Sequence, residues 1–173
     1  MKLSPVQQKF VLHWGEMGAR WGINRTVAQV HALLFISEKP LNAEELTETL
    51  GVARSNVSNS IRELQTWGIV KLVHVLGDRR DHFECLKDPW AMSRAVLEER
   101  KRREIDPTLL LLRECLREIK RDKVKDVHTG EQLRELLEFF ETTSAWYNQV
   151  RQLPTETLVK LMRAGDRIQK FLA

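Results

Sequence analysis

The stretch Ala53-Arg54-Ser55-Asn56-Val57-Ser58-Asn59-Ser60-Ile61-Arg62-Glu63-Leu64 decides the fold. Val57, Ile61 and Leu64 recur at i, i+4 and i+7, the spacing of one helix face. Around them the sequence is crowded with serine and asparagine. These are middling to poor helix formers, because their short side chains compete for backbone hydrogen bonds. A helix that needed only solubility would carry glutamate and lysine there. On a wheel of ~100° per residue, Ser55, Asn59 and Arg62 cluster opposite the apolar stripe, with Asn56 and Ser58 on the flanks. Such side chains let a helix sit deep in a DNA major groove, where asparagine pairs bidentately with adenine and arginine with guanine or a phosphate. The N-terminal end, at Arg54 and Ser55, points deepest in such a docking.

The flanking sequence supplies the rest of a reading head. Asn42 followed by Glu45 has the form of a capping box and predicts a short helix over 43–50, with Leu46 and Leu50 inward and Gly51 as its stop. The quoted stretch then runs as a helix over 54–67, closed by Gly68. The period changes at Val70, Leu72, Val73 and Val75, which predict a strand. Gly77-Asp78 makes a turn, and residues 82–86 return as a second strand. The tip sequence Gly77-Asp78-Arg79-Arg80-Asp81 puts two arginines on the projecting turn of this hairpin. Narrow minor grooves attract inserted arginine. Asp78 and Asp81 are placed to orient the guanidinium groups, and Lys71 at the base of the hairpin is a candidate phosphate contact. Helix, turn, helix and two-stranded ribbon is the order of a winged helix-turn-helix. A competing reading keeps the fold but makes it a protein-interaction module, with the serines and asparagines merely solvated and the wing charges paired among themselves.

Upstream, the sequence predicts a helix over 6–17, a loop around Trp21 bracketed by Gly18 and Gly22, and a helix over 25–36 capped by Asn24 and ended by Pro40. Downstream, Asp88-Pro89 starts a long charged helical stretch to about residue 123, with Pro107 expected to kink or break it. Gly130 and Pro154 separate two further helices, over 131–151 and 155–172. The division expected is an N-terminal helix and loop over 1–23 that joins a dimer region, a winged helix-turn-helix over 24–88 and a helical dimerisation region over 89–173. The whole is mainly α.

The segment "LNAEELTETLGVARSNVSNSIRELQTWGIVKLVHVLGDRRDHFE" (41–84) resembles MarR-type winged-helix regulators, and within them the GbsR-like branch. The resemblance extends to the N-terminal "FVLHWGEMGARWGINRTVAQVHALLFIS" (10–37) and so runs over nearly the whole chain. It implies a homodimeric, cytoplasmic transcription factor, usually a repressor, with helix 54–67 in the major groove and wing 71–86 in the minor groove of double-stranded DNA. Ala53 departs from the serine cap of many relatives, which leaves the first residue of the reading helix open. Two half-sites lie about 34–36 Å apart and need a scaffold between the two readers. Leu109, Leu112, Leu116, Ile119, Leu133, Leu136, Leu137, Phe140, Leu158, Leu161 and Phe171 are candidates for its interface, or for an intramolecular core.

GbsR-like proteins include sensors of choline or betaine, and quaternary ammonium ions bind aromatic cages through cation–π attraction. The chain has five tryptophans and one tyrosine. Trp14, Trp21, Trp90, Trp146 and Tyr147 are the candidate effector residues. Trp67, ending the reading helix, is expected to pack under the wing.

The remaining features argue against other classes. The 173 residues are 42% hydrophobic and 30% charged, with a formal net charge of +4. That is enough apolar residue for a sizeable core. The two cysteines, Cys85 and Cys115, have no CxxC spacing and read as small buried hydrophobes. No run near the N-terminus has the form of a signal peptide, and the longest purely apolar run, 109–112, is far too short for a bilayer. The five histidines form no metal-ligand spacing, and neither a phosphate-binding glycine loop nor GxSxG is present. The expectation is a cytoplasmic protein without cofactor, metal or catalytic activity.

Overall fold

The computed structural model describes residues 2–121 and 127–164. Residue 123, the expected end of the long helix, and residues 165–172, including Phe171, lie outside the described residues. The chain forms two compact units, Met1–Val96 and Leu97–Ala173. The division falls beyond residue 88, where the sequence reading placed it. Among the described residues no helix is long and apolar enough to cross a membrane.

In the first unit, α1 (Pro5–Arg20) starts at a full capping box: Ser4 Oγ accepts from the Gln7 amide, and Gln7 Oε1 accepts from the Ser4 amide at 2.9 Å. The helix runs through Gly18 instead of ending there. A Cβ on Gly18 would lie 2.5 Å from the Cβ of Ala28, so this glycine permits close approach to α2 (Arg25–Ile36) and does not open a loop. Val11 joins the core beside Val27, Val30 and Leu33, so α1 packs on the reading head. The last carbonyls of α2 are capped from across the fold. Lys87 Nζ donates to the carbonyls of Leu34, Phe35 and Ser37 at 2.7, 2.8 and 2.7 Å, which satisfies acceptors that no turn of helix follows.

A two-residue strand, β1 (Leu41–Asn42), precedes α3 (Ala43–Leu50), and α4 (Arg54–Thr66) follows after Gly51. The hairpin is β2 (Val70–Val75) and β3 (Asp78–Cys85), and the antiparallel sheet has the order β1-β3-β2. The register pairs Leu41 with Phe83 and Lys71 with Glu84. Leu46, Val57, Ile61 and Leu64 are buried against α2, and Ile69, Phe83 and Cys85 close the core from the sheet. Trp67 packs partly buried against this core. The first unit is a winged helix-turn-helix.

After Cys85, α5 (Pro89–Arg100) starts as expected, with Asp88 Oδ1 accepting from the Trp90 amide at 2.9 Å. Pro107, expected to kink or break the helix, does not end the helical stretch, but the regular α-helix is interrupted just before it. A π-helical turn, Lys101–Ile105, leads directly into α6 (Asp106–Arg121). Proline lacks an N–H, and its ring crowds the carbonyl four residues back. The widened turn accommodates both, and it brings Lys101 Nζ within 2.6 Å of Asp106 Oδ1 across five residues. In the second unit, α7 (Val127–Val150) contains Gly130 in its first turn, where a separation was expected, and α8 (Thr155–Arg163) follows the Pro154 turn. Arg113 of α6 pairs with Glu141 of α7 at 2.7 Å. Glu98 accepts from the Tyr147 hydroxyl at 3.3 Å and from Arg151.

Candidate nucleic-acid interface

The reading helix begins at Arg54, with Ala53 as N-cap in extended conformation and no side-chain cap bond. Its two faces separate cleanly. Arg54, Ser55, Asn56, Ser58, Asn59 and Arg62 are exposed, whereas Val57, Ser60, Ile61 and Leu64 are buried. Ser60 belongs to the inner face although its type matches the outer one. Its hydroxyl donates to the Asn56 carbonyl at 2.7 Å, which satisfies it without water. On the outer face, Arg62 Nη1 donates to Asn59 Oδ1 at 3.2 Å, so these two side chains are presented together.

The wing differs from its sequence reading in detail. Its turn is Leu76-Gly77, and β3 resumes pairing at Asp78 opposite Val75. Gly77 takes φ +85, the left-handed conformation that allows a two-residue hairpin loop to close. Arg79 and Arg80 therefore lie on the strand and not on the projecting turn. Between the Val73–His82 and Val75–Asp78 pairs the register shifts, so Arg79, Arg80 and Asp81 form a bulge opposite His74. Bulges re-aim side chains from the regular pleat.

Two of the wing's cations, Arg80 and Lys71, are already partnered. Arg80 Nε donates to Asp78 Oδ1 at 2.9 Å and Arg80 Nη2 to Asp78 Oδ2 at 2.5 Å, a bidentate grip. These hydrogen bonds from Arg80 hold the Asp78 carboxyl well below the usual carboxylate range and raise the Arg80 guanidinium further. Asp78 thus orients an arginine as expected, and the arginine it holds is Arg80. Lys71 Nζ lies 2.7 Å from its cross-strand neighbour Glu84. The Arg79 side chain is exposed and forms no ion pair or hydrogen bond among the described residues.

A groove of about 370 Å³ runs between the reading helix and the sheet, and its lining includes Glu44, Arg54, Ser58, Arg62, Gln65 and Arg80. Glu44 and Gln65 are absent from the sequence reading of the site. Gln65 follows Arg62 by one turn and was legible from that spacing. Glu44 comes to the site only through folding.

The aromatic candidates are divided between the two units. Trp14 is engaged in the first: its indole Nε1 donates to His31 Nδ1 at 3.2 Å and its ring packs 5.5 Å from that of Phe10. His31 is 6% exposed. Burial first, and the charge of Lys87 second, bring its pKa down to about 4. Trp21 follows α1 and is 56% exposed. Trp90 lies in the first turn of α5 and is half-buried. Trp146 and Tyr147 lie on α7, where Trp146 is 62% exposed. Cys85 is buried, and burial pushes its thiol up, away from the reactive thiolate. Cys115 is only half-buried, contrary to the expectation of two buried thiols.

Residues 21–81, which hold the reading helix and most of the wing, match the model of the MarR family. That segment, about a third of the chain's length, is similar to the MarR family. It is 26% identical to YvaV of Bacillus subtilis (strain 168), which bears the name of an HTH-type transcriptional regulator, over 50% of this chain and 49% of that protein. The match thus spans about half the length of that relative. It is 25% identical to the HTH-type transcriptional repressor OpcR of the same organism, over 70% of this chain and 77% of OpcR. A crystal structure of a transcriptional regulator superposes with a TM-score of 0.65 at 22% identity, covering 92% of this chain and 99% of the other. That likeness is one of fold alone.

Proposed function

We propose that this chain is a sequence-specific DNA-binding regulator of transcription, a repressor of the GbsR-like branch, that works in the cytoplasm as a homodimer. The observation that carries this reading is the outer face of α4. Six exposed side chains, Arg54, Ser55, Asn56, Ser58, Asn59 and Arg62, stand on one rigid helix whose opposite face is locked into the core. α4 enters the major groove, and the bulged wing with Lys71, Arg79 and Arg80 follows the backbone into the adjacent minor groove. The protein acts by binding, not by catalysis. The MarR family match and the names of YvaV and OpcR support the same reading.

The dimer is the part that places two readers on paired half-sites. Leu109 and Leu112 are buried within the second unit, while Leu110, Leu111, Leu136, Phe139 and Trp146 are exposed. Exposed apolar side chains in this number on two helices favour an interface with a second copy. Selection of binding sites from a random duplex pool tests the reading. It yields an enriched, inverted-repeat motif whose half-sites are centred about one helical turn apart. A pool that stays random would leave the winged helix as a protein-interaction module.

We further propose a quaternary ammonium effector, choline or betaine, held by aromatic rings among Trp14, Trp21, Trp90, Trp146 and Tyr147. Trp21 in the first unit is exposed, and so, separately, is Trp146 in the second, which leaves each ring face open to such a cation. Saturable quenching of tryptophan fluorescence by choline or betaine, lost in Trp146→Ala, is the expected result. A flat titration removes the effector.

A further inference from the structure

One carboxylate ties the reading helix to the wing. Glu44 stands in the first turn of α3, with Oε1 3.9 Å from Arg54 Nη1 and Oε2 3.1 Å from Arg80 Nη1. It meets the first residue of α4 and the bulge of β3 at once. Its carboxylate is not needed to start its own helix. Asn42 Oδ1 accepts from the amides of Glu44 and Glu45, and Glu45 Oε2 accepts from the Asn42 amide, which completes the capping box. The three side chains are about half exposed or more, at 49% for Glu44, 71% for Arg54 and 53% for Arg80. Exposed pairs of this kind are individually weak, so a phosphate can compete for either arginine.

We propose that Glu44 sets the ratio of specific to non-specific DNA binding. The inference rests on the DNA-binding reading above and deepens it. Non-specific affinity comes from cations that displace counterions at phosphates. A carboxylate beside two such cations offsets part of their charge, and it repels an incoming phosphate directly. Asn56, Ser58 and Asn59 read base edges through uncharged groups, on which Glu44 has no charge to offset. Glu44 therefore weakens the sequence-independent part of binding more than the sequence-dependent part. It faces both Arg54 and Arg80 in the groove they line.

The test compares the full-length protein, Glu44→Gln and Glu38→Gln by fluorescence anisotropy, on the selected site and on a scrambled duplex of equal length, across a salt series. Glu44→Gln keeps the side-chain shape. Glu38→Gln makes the same change of net charge at an exposed position after α2. The expected result is that Glu44→Gln binds the scrambled duplex roughly 3–10-fold more tightly, with a salt slope steeper by up to about one ion. Its affinity for the selected site rises by less than about threefold, so the preference shrinks. Glu38→Gln leaves both within about twofold. Equal effects of the two substitutions, or a loss of affinity for both duplexes in folded Glu44→Gln, would overturn the proposal. A wild-type protein that binds neither duplex would overturn the DNA reading itself. A wild-type protein that binds selectively, beside an unchanged Glu44→Gln, would overturn the role of Glu44 alone.

Discussion

The reading helix and the wing present themselves to solvent in different electrical states. On the outer face of α4, Ser55, Asn56, Ser58 and Asn59 offer uncharged donors and acceptors, Arg62 donates to Asn59, and Arg54 at the first position faces Glu44 at 3.9 Å. On the wing, Arg80 is gripped by Asp78 and reaches Glu44, and Lys71 pairs with Glu84. On the proposed reading, the first region would pair with base edges, whose pattern differs from one base pair to the next. The second carries charge, which every phosphate would meet equally, and neighbouring carboxylates partly neutralise that charge. Under the proposed DNA-binding function, the separation would give sequence choice mainly to α4 and salt-dependent holding mainly to the wing, with Arg54 at the start of α4 sharing Glu44 with Arg80.

The contrast breaks most severely if α4 loses its seat. Leu64 is 1% exposed, and Leu64→Ala is expected to cost about 2–5 kcal/mol of stability, seen as a fall in the urea midpoint. A loss under about 1 kcal/mol would show that the inner face is loosely packed. The seat is also sensitive to acid. His31 is buried with its pKa lowered to about 4 from 6.5. The unfolded chain therefore takes up a proton between these values that the folded chain refuses. Stability from this group is complete above pH 6.5 and is lost as the pH falls towards about 4, by about 3 kcal/mol in all. Urea midpoints between pH 7.5 and 4.5 should fall in the wild type and fall less in His31→Gln. Parallel curves would contradict a neutral buried histidine.

Substitutions on the two binding regions sharpen the comparison. Asn59→Ala and Arg62→Ala are each expected to cost about 1–3 kcal/mol on the selected site, with little change on a scrambled duplex. Equal losses on both duplexes would move these residues from reading to holding. Arg79→Ala with Arg80→Ala should weaken both duplexes alike and flatten the salt slope by up to about two ions. The smallest effect is expected from Lys71→Ala, whose charge Glu84 already offsets at 2.7 Å. Anisotropy should show a change of less than about threefold on either duplex.

What the sequence revealed follows from the range of the forces involved. The stripe Val57, Ile61 and Leu64 and the Asn42–Glu45 capping box are local, and both were legible in full. Ser60 was hidden because a serine can turn its hydroxyl to its own helix, as this one does to Asn56. Gly18 looked like a loop residue. Its reason for being glycine, the Ala28 methyl, is ten residues away on another helix. Pro107 looked like a kink or a break, and the local rule does not say that a wider turn absorbs it. The outer face of α4 was readable from residue type and spacing, whereas the wing bulge depends on cross-strand register. Glu44 was invisible as a site residue, since its two partners lie 10 and 36 positions further along the chain.

The central claim, that α4 reads and the wing holds, is tested most directly by one experiment. Anisotropy of the wild type and of Asn59→Ala is followed on the selected site and on a scrambled duplex from low to near-physiological salt. The account predicts that the wild type keeps a large preference at the higher salt. Asn59→Ala loses most of that preference while its affinity for the scrambled duplex and its salt slope stay unchanged. Equal and salt-sensitive binding of both duplexes by the wild type, or an Asn59→Ala protein that still discriminates as well as the wild type, would contradict it.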